Sequence, residues 1–254
     1  MKAAIATLAI GADYQGAYAR IFRPSVERYA ARHGYDLLLF DRYLGSPAFH
    51  DPLFAYLMKL LLPAQEAVQG YDRLLVLDVD ILVHPATPPF HELEIGDGVG
   101  AVDEWSQPSS AERQAIQRAK GWDLDLRDYY ARSGLVLDSD TMLNSGMFVC
   151  SPARHAAFFR DVAERRFPAR RRYPADFHQY EQAVLNYELQ TAGLARLLPA
   201  AWNRLWPLHR PRVLPGAAAR LERFRSFLAV REATFMLHLT GGQDHDFAFA
   251  IRNR

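Results

Sequence analysis

Two aspartates one residue apart are the residues of this sequence whose positions most directly suggest chemistry. Asp78 and Asp80 follow the apolar run 74–77 and precede a second apolar run, 81–83. Burying an ionised carboxylate is costly unless a partner compensates its charge, so two such acids indicate a bound cation. Oxygen ligands suit Mg²⁺ or Mn²⁺, which proteins commonly share with the phosphates of a substrate. The pair therefore predicts a metal site at the carboxyl end of a buried strand.

The aspartate-x-aspartate pattern alone is not specific, because the chain contains it four times. The first two of the remaining pairs lie in polar, loop-like sequence, which favours solvated acids, and the third follows a glycine pair and stays undecided. These pairs are Asp123/Asp125, Asp138/Asp140 and Asp244/Asp246. Strand context on both sides distinguishes only Asp78/Asp80.

Composition indicates a globular protein with a full core. Half of the 254 residues are hydrophobic, and 30 Lys and Arg nearly balance 29 Asp and Glu, which argues against a nucleic-acid partner. The single cysteine, Cys150, excludes an internal disulfide and a multi-cysteine zinc site. No run approaches the roughly 20 apolar residues of a membrane span, and the N-terminus is typical of a first strand rather than a signal peptide. We expect a cytoplasmic protein, at most peripheral at a membrane.

Short apolar strands alternate with helices, which predicts an α/β fold with a mostly parallel sheet that positions the aspartates. Pro24 is expected to kink or split the first helix, and Gly34 to end it. The segment 105–137 is irregular apart from one helix, which is more typical of a substrate-covering excursion than of scaffold. The predicted strands are 3–10, 35–40, 73–77, 99–102, 142–150 and 235–239, and the predicted helices are 15–32, 52–69, 111–120, 152–165 and 177–189. The second of these helices is expected to be capped by Asp51, interrupted at Pro63 and ended by Gly70.

Five motifs in order resemble one family of enzymes. They are YDRLLVLDVDILVHP, LNSGMFVCSP, YEQAVLN, LLPAAWNRLW and FMLHLTGG. The series resembles the retaining GT-A glycosyltransferases related to glycogenin, bacterial lipopolysaccharide galactosyltransferases and plant xyloglucan xylosyltransferases, over residues 1–242. The resemblance implies a single GT-A domain, 1–254, with a Rossmann-like nucleotide-sugar-binding half at 1–104. It places the acceptor-binding and metal-completing half at 105–254.

The resemblance also implies roles for individual residues. It makes Asp78, Asp80 and His238 the metal ligands, with Asp78 also on the ribose side of the nucleotide. The residues implied to bind the nucleotide sugar are Thr7, Leu8, Ala9, Tyr14, Lys59, Asp78 and Gly241, with Tyr14 a stacking partner for the base. Those implied around the donor sugar and its reacting carbon are Asp103, Asn144, Glu181 and Gln182, while Asn203 matches a turn without an assigned role.

The chain departs from the family after the late histidine. The family continues as HxxGxxK, whereas Asp244 stands here where the lysine is expected. The loop could be shifted, another cation such as His245 or Arg252 could substitute, or diphosphate binding could be weakened, and the sequence does not choose between these alternatives.

The resemblance implies a metal-dependent transferase that moves a hexose or pentose from a nucleotide sugar, most simply a UDP-sugar, to a glycan or glycolipid. Retention of configuration and a part in polysaccharide biosynthesis are further implications. Three alternatives stay open: a non-catalytic nucleotide-sugar-binding protein, a phosphohydrolase that uses Asp78 and Asp80, and a nucleotidyltransferase. The last expects a basic glycine-rich loop after the first strand, which Gly11-Ala12-Asp13 does not provide.

Several of these residues also have simpler interpretations. Tyr14 is typical of a packed loop aromatic, His238 of a core histidine, and Lys59 of a side chain extended along an apolar surface. The basic cluster of residues 165–172 is usually a solvated face, and the alternative is contact with an anionic membrane surface or a phosphorylated acceptor. Its members are Arg165, Arg166, Arg170, Arg171 and Arg172.

Overall fold

The computed structural model describes residues 1–119, 125–173, 180–211, 217–242 and 244–252. Its strands are β1 (Ala3–Leu8), β2 (Asp36–Phe40), β3 (Arg73–Leu77), β4 (Ile81–Val83), β5 (Val99–Asp103), β6 (Leu143–Cys150), β7 (Ala195–Leu198), β8 (Arg204–Leu205) and β9 (Met236–His238). Its α-helices are α1 (Ala12–Ala17), α2 (Arg23–His33), α3 (Ser110–Ala119), α4 (Leu126–Ala131), α5 (Pro152–Arg170), α6 (Tyr180–Thr191), α7 (Trp206–His209), α8 (Ala217–Glu232) and α9 (His245–Ile251).

Within these residues a six-stranded main sheet has the order β2-β1-β3-β6-β5-β7. β1 runs parallel to β2 and β3, and β5 runs parallel to β7. β6 is antiparallel to both of its neighbours, β3 and β5. Five strands therefore share one direction, which confirms the predicted α/β fold with a mostly parallel sheet. β6 is buried along its whole length, because strands flank it and both faces are covered.

The main sheet has a core on each face. Leu74 and Val76 face one core, which includes α5, α6 and the segment Tyr56–Ala64. Leu75 and Leu77 face the other core, together with residues of α2, α8 and α9. Successive side chains of a strand point to opposite faces, so a continuous apolar run is what a strand covered on both sides requires. Asp78 and Asp80 follow directly after β3, where the chain leaves the main sheet.

The first helical region is split at proline, as predicted. α1 continues into a π-helical turn, Tyr18–Phe22, and α2 then begins with Pro24 in its first turn. Proline has no N–H and its ring crowds the preceding turn, so it fits best in the first turn of a helix. Gly34 ends α2 in the left-handed region, with φ of 70°.

Residues 52–64 form 3-10 helix rather than the α-helix that the apolar spacing predicts. Asp51 does cap this region, because its carboxylate accepts a hydrogen bond from the N–H of Leu53 at 2.7 Å. The longer 3-10 segment, Tyr56–Ala64, is buried from Leu57 to Pro63 between the main sheet and α5. Pro63 has no N–H to donate, which removes one α-helical hydrogen bond from the segment. Lys59 is thereby carried into the interior.

In the described part of the segment 105–137, which leaves out 120–124, the structure has two helices, α3 and α4, where the sequence predicts one. Asp125 caps α4 by accepting a hydrogen bond from the N–H of Asp128 at 2.9 Å. The last residue of the predicted helix 111–120, Asp123 and the first three residues of the predicted helix 177–189 lie outside the described residues. α5 continues past its predicted end to Arg170. Among the helices that the structure describes, none is long and apolar enough to cross a membrane.

Candidate active site

The carboxylate pair lies next to His238 because β4 and β9, which are distant in sequence, pair as strands. Asp78 follows β3, Asp80 precedes β4, and β4 pairs antiparallel with β9 so that Ile81 lies opposite His238. The N–H of Leu239 donates to the carbonyl of Asp80 at 2.9 Å. The Nε2 of His238 lies 3.1 Å from an oxygen of Asp80 and 3.9 Å from an oxygen of Asp78.

Gly146 of β6 allows this close approach of the histidine. Its carbonyl accepts a hydrogen bond from the N–H of Asp78 at 2.8 Å. A Cβ atom at position 146 would lie 2.1 Å from Cε1 of His238, well inside contact distance. The absence of a side chain at this position therefore leaves the room that the imidazole ring occupies.

Positive groups compensate both carboxylates. Lys59 Nζ lies 2.8 Å from each oxygen of Asp78, with only 8% of the lysine side chain exposed. Burial opposes the charged form of Asp80, but His238 and then Lys59 outweigh it and hold the pKa of Asp80 below its usual value. Burial likewise opposes the charged form of His238, yet Asp80 and Asp78 raise the pKa of that imidazole. The pocket is one that attracts positive charge.

Asp78, Asp80 and His238 fit a divalent cation. One ligand atom from each lies within 4.8 Å of the others. The two aspartate side chains are 27% and 21% exposed, so the carboxylates are accessible from one side while the histidine is buried. Two carboxylates and one imidazole form a donor set that suits Mn²⁺ or Mg²⁺ and leaves positions for substrate oxygens.

A buried polar cluster lies beside this triad, between β6 and α6. Asn186 fixes α6 to β6 by exchanging two hydrogen bonds with the backbone of Leu143, at 2.6 and 2.7 Å. One turn earlier, the amide oxygen of Gln182 accepts from the N–H of Ser145 at 3.3 Å, and the hydroxyl of Ser145 donates to Glu181 at 3.3 Å. The structure thus brings the predicted pair Glu181 and Gln182 to β6.

Glu181 connects the polar cluster to the triad through electrostatics. Burial raises the pKa of its carboxyl, and the positive charge of Lys59 partly opposes that effect. The charges of Asp78 and Glu181 in turn raise the pKa of Lys59 against the effect of burial. Lys59 therefore compensates both carboxylates, and its contact with the donor sugar and diphosphate stays a prediction.

Asn144 and Asn203 belong to the same cluster. Asn144 Nδ2 is 3.2 Å from Gln182 Oε1, and Asn144 Oδ1 accepts from the N–H of Gly146 at 2.9 Å. Asn203, which is fully buried, donates from Nδ2 to the same Oδ1 at 2.7 Å. The turn that received no role from the sequence therefore holds Asn144 in place.

Asp103 binds the loop after β5, whereas the residues predicted beside it, Asn144, Glu181 and Gln182, belong to the polar cluster. Its Oδ1 accepts from the N–H groups of Trp105 and Met142 at 2.9 and 3.0 Å, which ties the loop after β5 to the start of β6. The following residue, Glu104, enters the polar cluster instead and was not identified from the sequence. Its only signal is an acid at the carboxyl end of β5, next to an acid that was already assigned a role.

The predicted base-binding segment lies at the end of β1. Thr7 and Ala9 are buried and Leu8 is half-buried. The N–H of Ala9 donates to the carbonyl of Phe40 at 2.8 Å, and the carbonyl of Ala9 accepts from Nε2 of Gln15 at 3.1 Å. Tyr14 of α1 is 52% exposed, and its hydroxyl lies 3.4 Å from that of Tyr56.

Tyr56 connects this segment to the rest of the site and was also missed. The hydrogen bond with Tyr14 is the main reason that the pKa of Tyr56 is raised; burial and the charges of Glu181 and Asp78 add to it. A tyrosine three residues before Lys59 is a weak signal, because an aromatic at this spacing is usually core.

Gly241 and Gly242 form the turn after β9, with φ of 80° and 71°, where glycine avoids strain. Asp244, which stands where the family has lysine, turns inward. Its carboxylate accepts from Trp206 Nε1 at 2.9 Å and lies 3.3 Å from Arg223 Nε, with 6% of its side chain exposed. The acid therefore binds groups of α7 and α8 rather than facing the metal ligands as a free charge.

The two residues suggested as substitutes for the lysine occupy different places. His245 packs edge-on against Phe22 with ring centroids 5.0 Å apart. Burial raises the pKa of Asp80, whereas His238, Lys59 and, to a smaller extent, the charge of His245 lower it. Arg252 covers the ring of Phe249 at 3.6 Å. His245 is thus the one with an electrostatic connection to the metal ligands.

Acids from two of the other aspartate pairs form ion pairs with arginines. Asp138 binds Arg127 at 2.7 Å in an exposed ion pair, and Asp246 binds Arg220. The basic cluster is also partly neutralised: Arg165 and Arg166 both bind Glu188, at 2.8 and 2.5 Å.

Comparisons with known proteins establish the fold. No family model matches the sequence, and no curated protein matches it. Among solved structures, a glycosyltransferase involved in glycosylation of the major capsid of PBCV-1 has TM-score 0.57 and 14% identity, covering 98% of both chains. The galactosyltransferase LgtC, in complex with donor and acceptor sugar analogs, has TM-score 0.55 and 17% identity, covering 94% of this chain and 87% of its own. The bifunctional glycosyltransferase WbbM has TM-score 0.54 and 12% identity, covering 94% of this chain and 46% of its own. This chain therefore has the GT-A type fold of these glycosyltransferases.

Proposed function

We propose that the protein is a metal-dependent glycosyltransferase that uses a nucleotide sugar, with UDP as the nucleotide. The observation that carries the proposal is that Asp78, Asp80 and His238 lie together at the carboxyl end of β3. Lys59 and the polar cluster between β6 and α6 lie next to them. The fold shared with several glycosyltransferases supports the same conclusion.

In the proposed reaction a glycosidic phosphate bond breaks and a nucleoside diphosphate leaves with negative charge. Asp78, Asp80 and His238 would hold a divalent ion at this place, and the ion would supply Lewis-acid stabilisation of that charge. Lys59 holds Asp78 in position and adds a second positive charge on the donor side. The buried walls lower the local dielectric, so these charges act more strongly than they would in water.

The sugar carbon becomes cation-like as the bond breaks. We place Glu181 and Gln182 on that face, where a carboxylate and an amide stabilise positive charge. Front-face attack by the acceptor hydroxyl, with the leaving phosphate accepting its proton, gives retention without a protein nucleophile. The acceptor is proposed to be a glycan or glycolipid, consistent with polysaccharide biosynthesis, with Mn²⁺ as the working ion.

Release of UDP from UDP-sugars tests the activity. Purified protein with Mn²⁺ is expected to hydrolyse at least one of UDP-glucose, UDP-galactose and UDP-xylose slowly without acceptor, and to stop when the ion is removed with EDTA. Coupled detection of UDP provides the measurement. Tight, Mn²⁺-dependent UDP binding without hydrolysis or transfer would favour the non-catalytic binding protein. Release of inorganic phosphate from phosphate monoesters would favour the phosphohydrolase.

Variants of α6 test the placement of the reacting face. Glu181→Gln and Gln182→Ala are each expected to lower kcat for UDP-sugar hydrolysis by about tenfold or more, because the cation-like carbon loses a stabilising group, while UDP affinity stays nearly constant. Thr191→Ala, at the exposed end of the same helix, serves as the control, because its hydroxyl donates only to backbone carbonyls of α6. Near-normal turnover in both site variants would remove Glu181 and Gln182 from the reacting face.

A further inference from the structure

Glu104 and Arg113 form a buried ion pair that the proposed reaction does not use directly. The two residues are 6% and 7% exposed. Glu104 directly follows β5, and Arg113 lies in α3, within the excursion 105–137. Arg113 Nη2 binds Oε1 of Glu104. A buried carboxylate requires such a partner, because its desolvation is otherwise uncompensated.

The second oxygen of Glu104 receives both side-chain amides of the polar cluster. Oε2 accepts from Nδ2 of Asn144 at 2.7 Å and from Nε2 of Gln182 at 3.0 Å. An ionised carboxylate only accepts hydrogen bonds, so both NH₂ groups must face it. The amide oxygens then point the other way: that of Gln182 towards the N–H of Ser145, and that of Asn144 towards Asn203. One charge thus determines the orientation of two amides.

α4 contributes to the same arrangement. Tyr129 is buried, hydrogen-bonds with Gln182, and lies near enough to Glu104 for that charge to raise the pKa of its phenol, after burial, which is the larger cause. α3 and α4 therefore each place one buried side chain against the Glu104–Gln182 contact. The described helices of the excursion, α3 and α4, are therefore packed into the site.

We propose that Glu104 is a positioning residue that orients Gln182 and Asn144 for the sugar-transfer step, and that Arg113 makes this orientation depend on docking of α3. The inference rests on the proposed function of Gln182. It assigns the excursion a second task besides covering substrate: the catalytic amides are ordered only when the Glu104–Arg113 pair is formed.

Glu104→Gln separates charge from shape. A glutamine at this position has one acceptor oxygen and an NH₂ group, so it cannot accept from Arg113, Asn144 and Gln182 together, and at least two donors face each other. We expect kcat for hydrolysis of the fastest UDP-sugar of the panel to fall by about tenfold or more, because small misplacements of reacting groups are costly. The affinity for UDP with Mn²⁺ is expected to change less than about twofold, because the metal ligands lie outside this network.

Asp138→Asn is the matched control. It removes the same charge from the residue that follows the excursion, at an exposed ion pair with Arg127 of α4, the two side chains being 82% and 71% exposed. It is expected to keep both kcat and UDP affinity. Arg113→Lys, which retains the positive charge, provides a second variant should Glu104→Gln not fold. The double variant Glu104→Gln/Arg113→Lys is expected to lose little more kcat than Glu104→Gln alone, because both changes act on one network.

The outcomes separate the two proposals. Unchanged kcat in folded Glu104→Gln, or equal losses of kcat and UDP affinity, would overturn the positioning role. Independent, multiplying losses in the double variant would overturn the dependence on α3. A wild-type protein that neither binds UDP with Mn²⁺ nor hydrolyses UDP-sugars would instead overturn the proposed function, and the positioning role with it.

Discussion

The residues of the site differ in how far their types and spacing reveal them. Asp78 and Asp80 stand out because two acids interrupt an apolar run, and the structure shows what that requires: Lys59 at 2.8 Å and His238 at 3.1 Å as compensating groups. Glu104 could not be assigned in the same way. The pairing register of β5 with β6 shifts between Ala101 and Asp103, and such an irregularity changes which face the following residues occupy.

Gly146 offers a test at the scale of a single residue. Gly146→Ala places a methyl group where His238 Cε1 lies 2.1 Å away, so the imidazole must move from the two carboxylates. We expect Mn²⁺ affinity to fall by about tenfold or more, which isothermal titration calorimetry measures. Gly70→Ala, where an added Cβ meets nothing within 4 Å, is the control. Equal Mn²⁺ affinity in the wild type and Gly146→Ala would contradict the placement of His238 as a ligand.

At the scale of elements, the sequence predicts secondary structure well where one periodicity dominates. β3 agrees with prediction because it is a short apolar run, and β1 begins as predicted but ends at Leu8 rather than at Ile10. α2 agrees because proline and glycine mark its ends. The pairing of β4 with β9 could not be predicted, since each strand has three residues and their partners are about 155 positions apart. The 3-10 winding of Tyr56–Ala64 was not predictable either, because its burial on all sides removes the helical period.

The junction of α5 and α6 provides a test at this scale. Burial raises the pKa of Glu188, but hydrogen bonds from Arg165 and Arg166 outweigh it and hold that pKa below its usual value. The resulting stabilisation is present above the unfolded-state pKa and is lost as pH falls through the lower folded-state pKa. Glu188→Gln is expected to lower the free energy of unfolding by about 1–3 kcal/mol at pH 7, as measured by urea denaturation.

The difference between wild type and Glu188→Gln is expected to shrink on acidification from pH 5 to pH 3, since the wild-type carboxyl then becomes protonated. Asp161→Asn removes an exposed partner of the same Arg165 and is expected to cost under about 0.5 kcal/mol. A difference that grows as the pH falls would contradict the assigned role of Glu188. The same pairing leaves less free positive charge in the cluster for an anionic membrane or acceptor.

At the scale of the whole molecule, the alternation of strands and helices is enough to predict an α/β fold, and the order of the motifs is enough to suggest the GT-A type. What the sequence could not provide is the second, three-stranded sheet β4-β9-β8, which the structure describes beside the main sheet. This small sheet carries His238 to the carboxylates. The sequence predicts β9 as the strand 235–239, but β4 and β8 are too short to have a pattern of their own, so tertiary packing decides the pairing within this sheet.

The departure at Asp244 also becomes intelligible at this scale. In place of a cation the chain has an acid that is buried against Trp206 and Arg223, which joins the turn after β9 to α7 and α8. The loop that follows the metal ligand is thus anchored by an ion pair within the fold. Positive charge near the metal ligands comes instead from Lys59, with a smaller contribution from His245.

Calorimetric titration of UDP into the wild type and into Asp80→Asn, each with Mn²⁺ and after treatment with EDTA, tests the central claim most directly. We expect wild-type affinity for UDP to fall by about tenfold or more when the ion is removed, because Asp78, Asp80 and His238 then no longer share a cation with the diphosphate. Asp80→Asn is expected to bind UDP weakly under both conditions. Equally tight UDP binding without the ion, or an Asp80→Asn variant that binds like the wild type, would contradict the account.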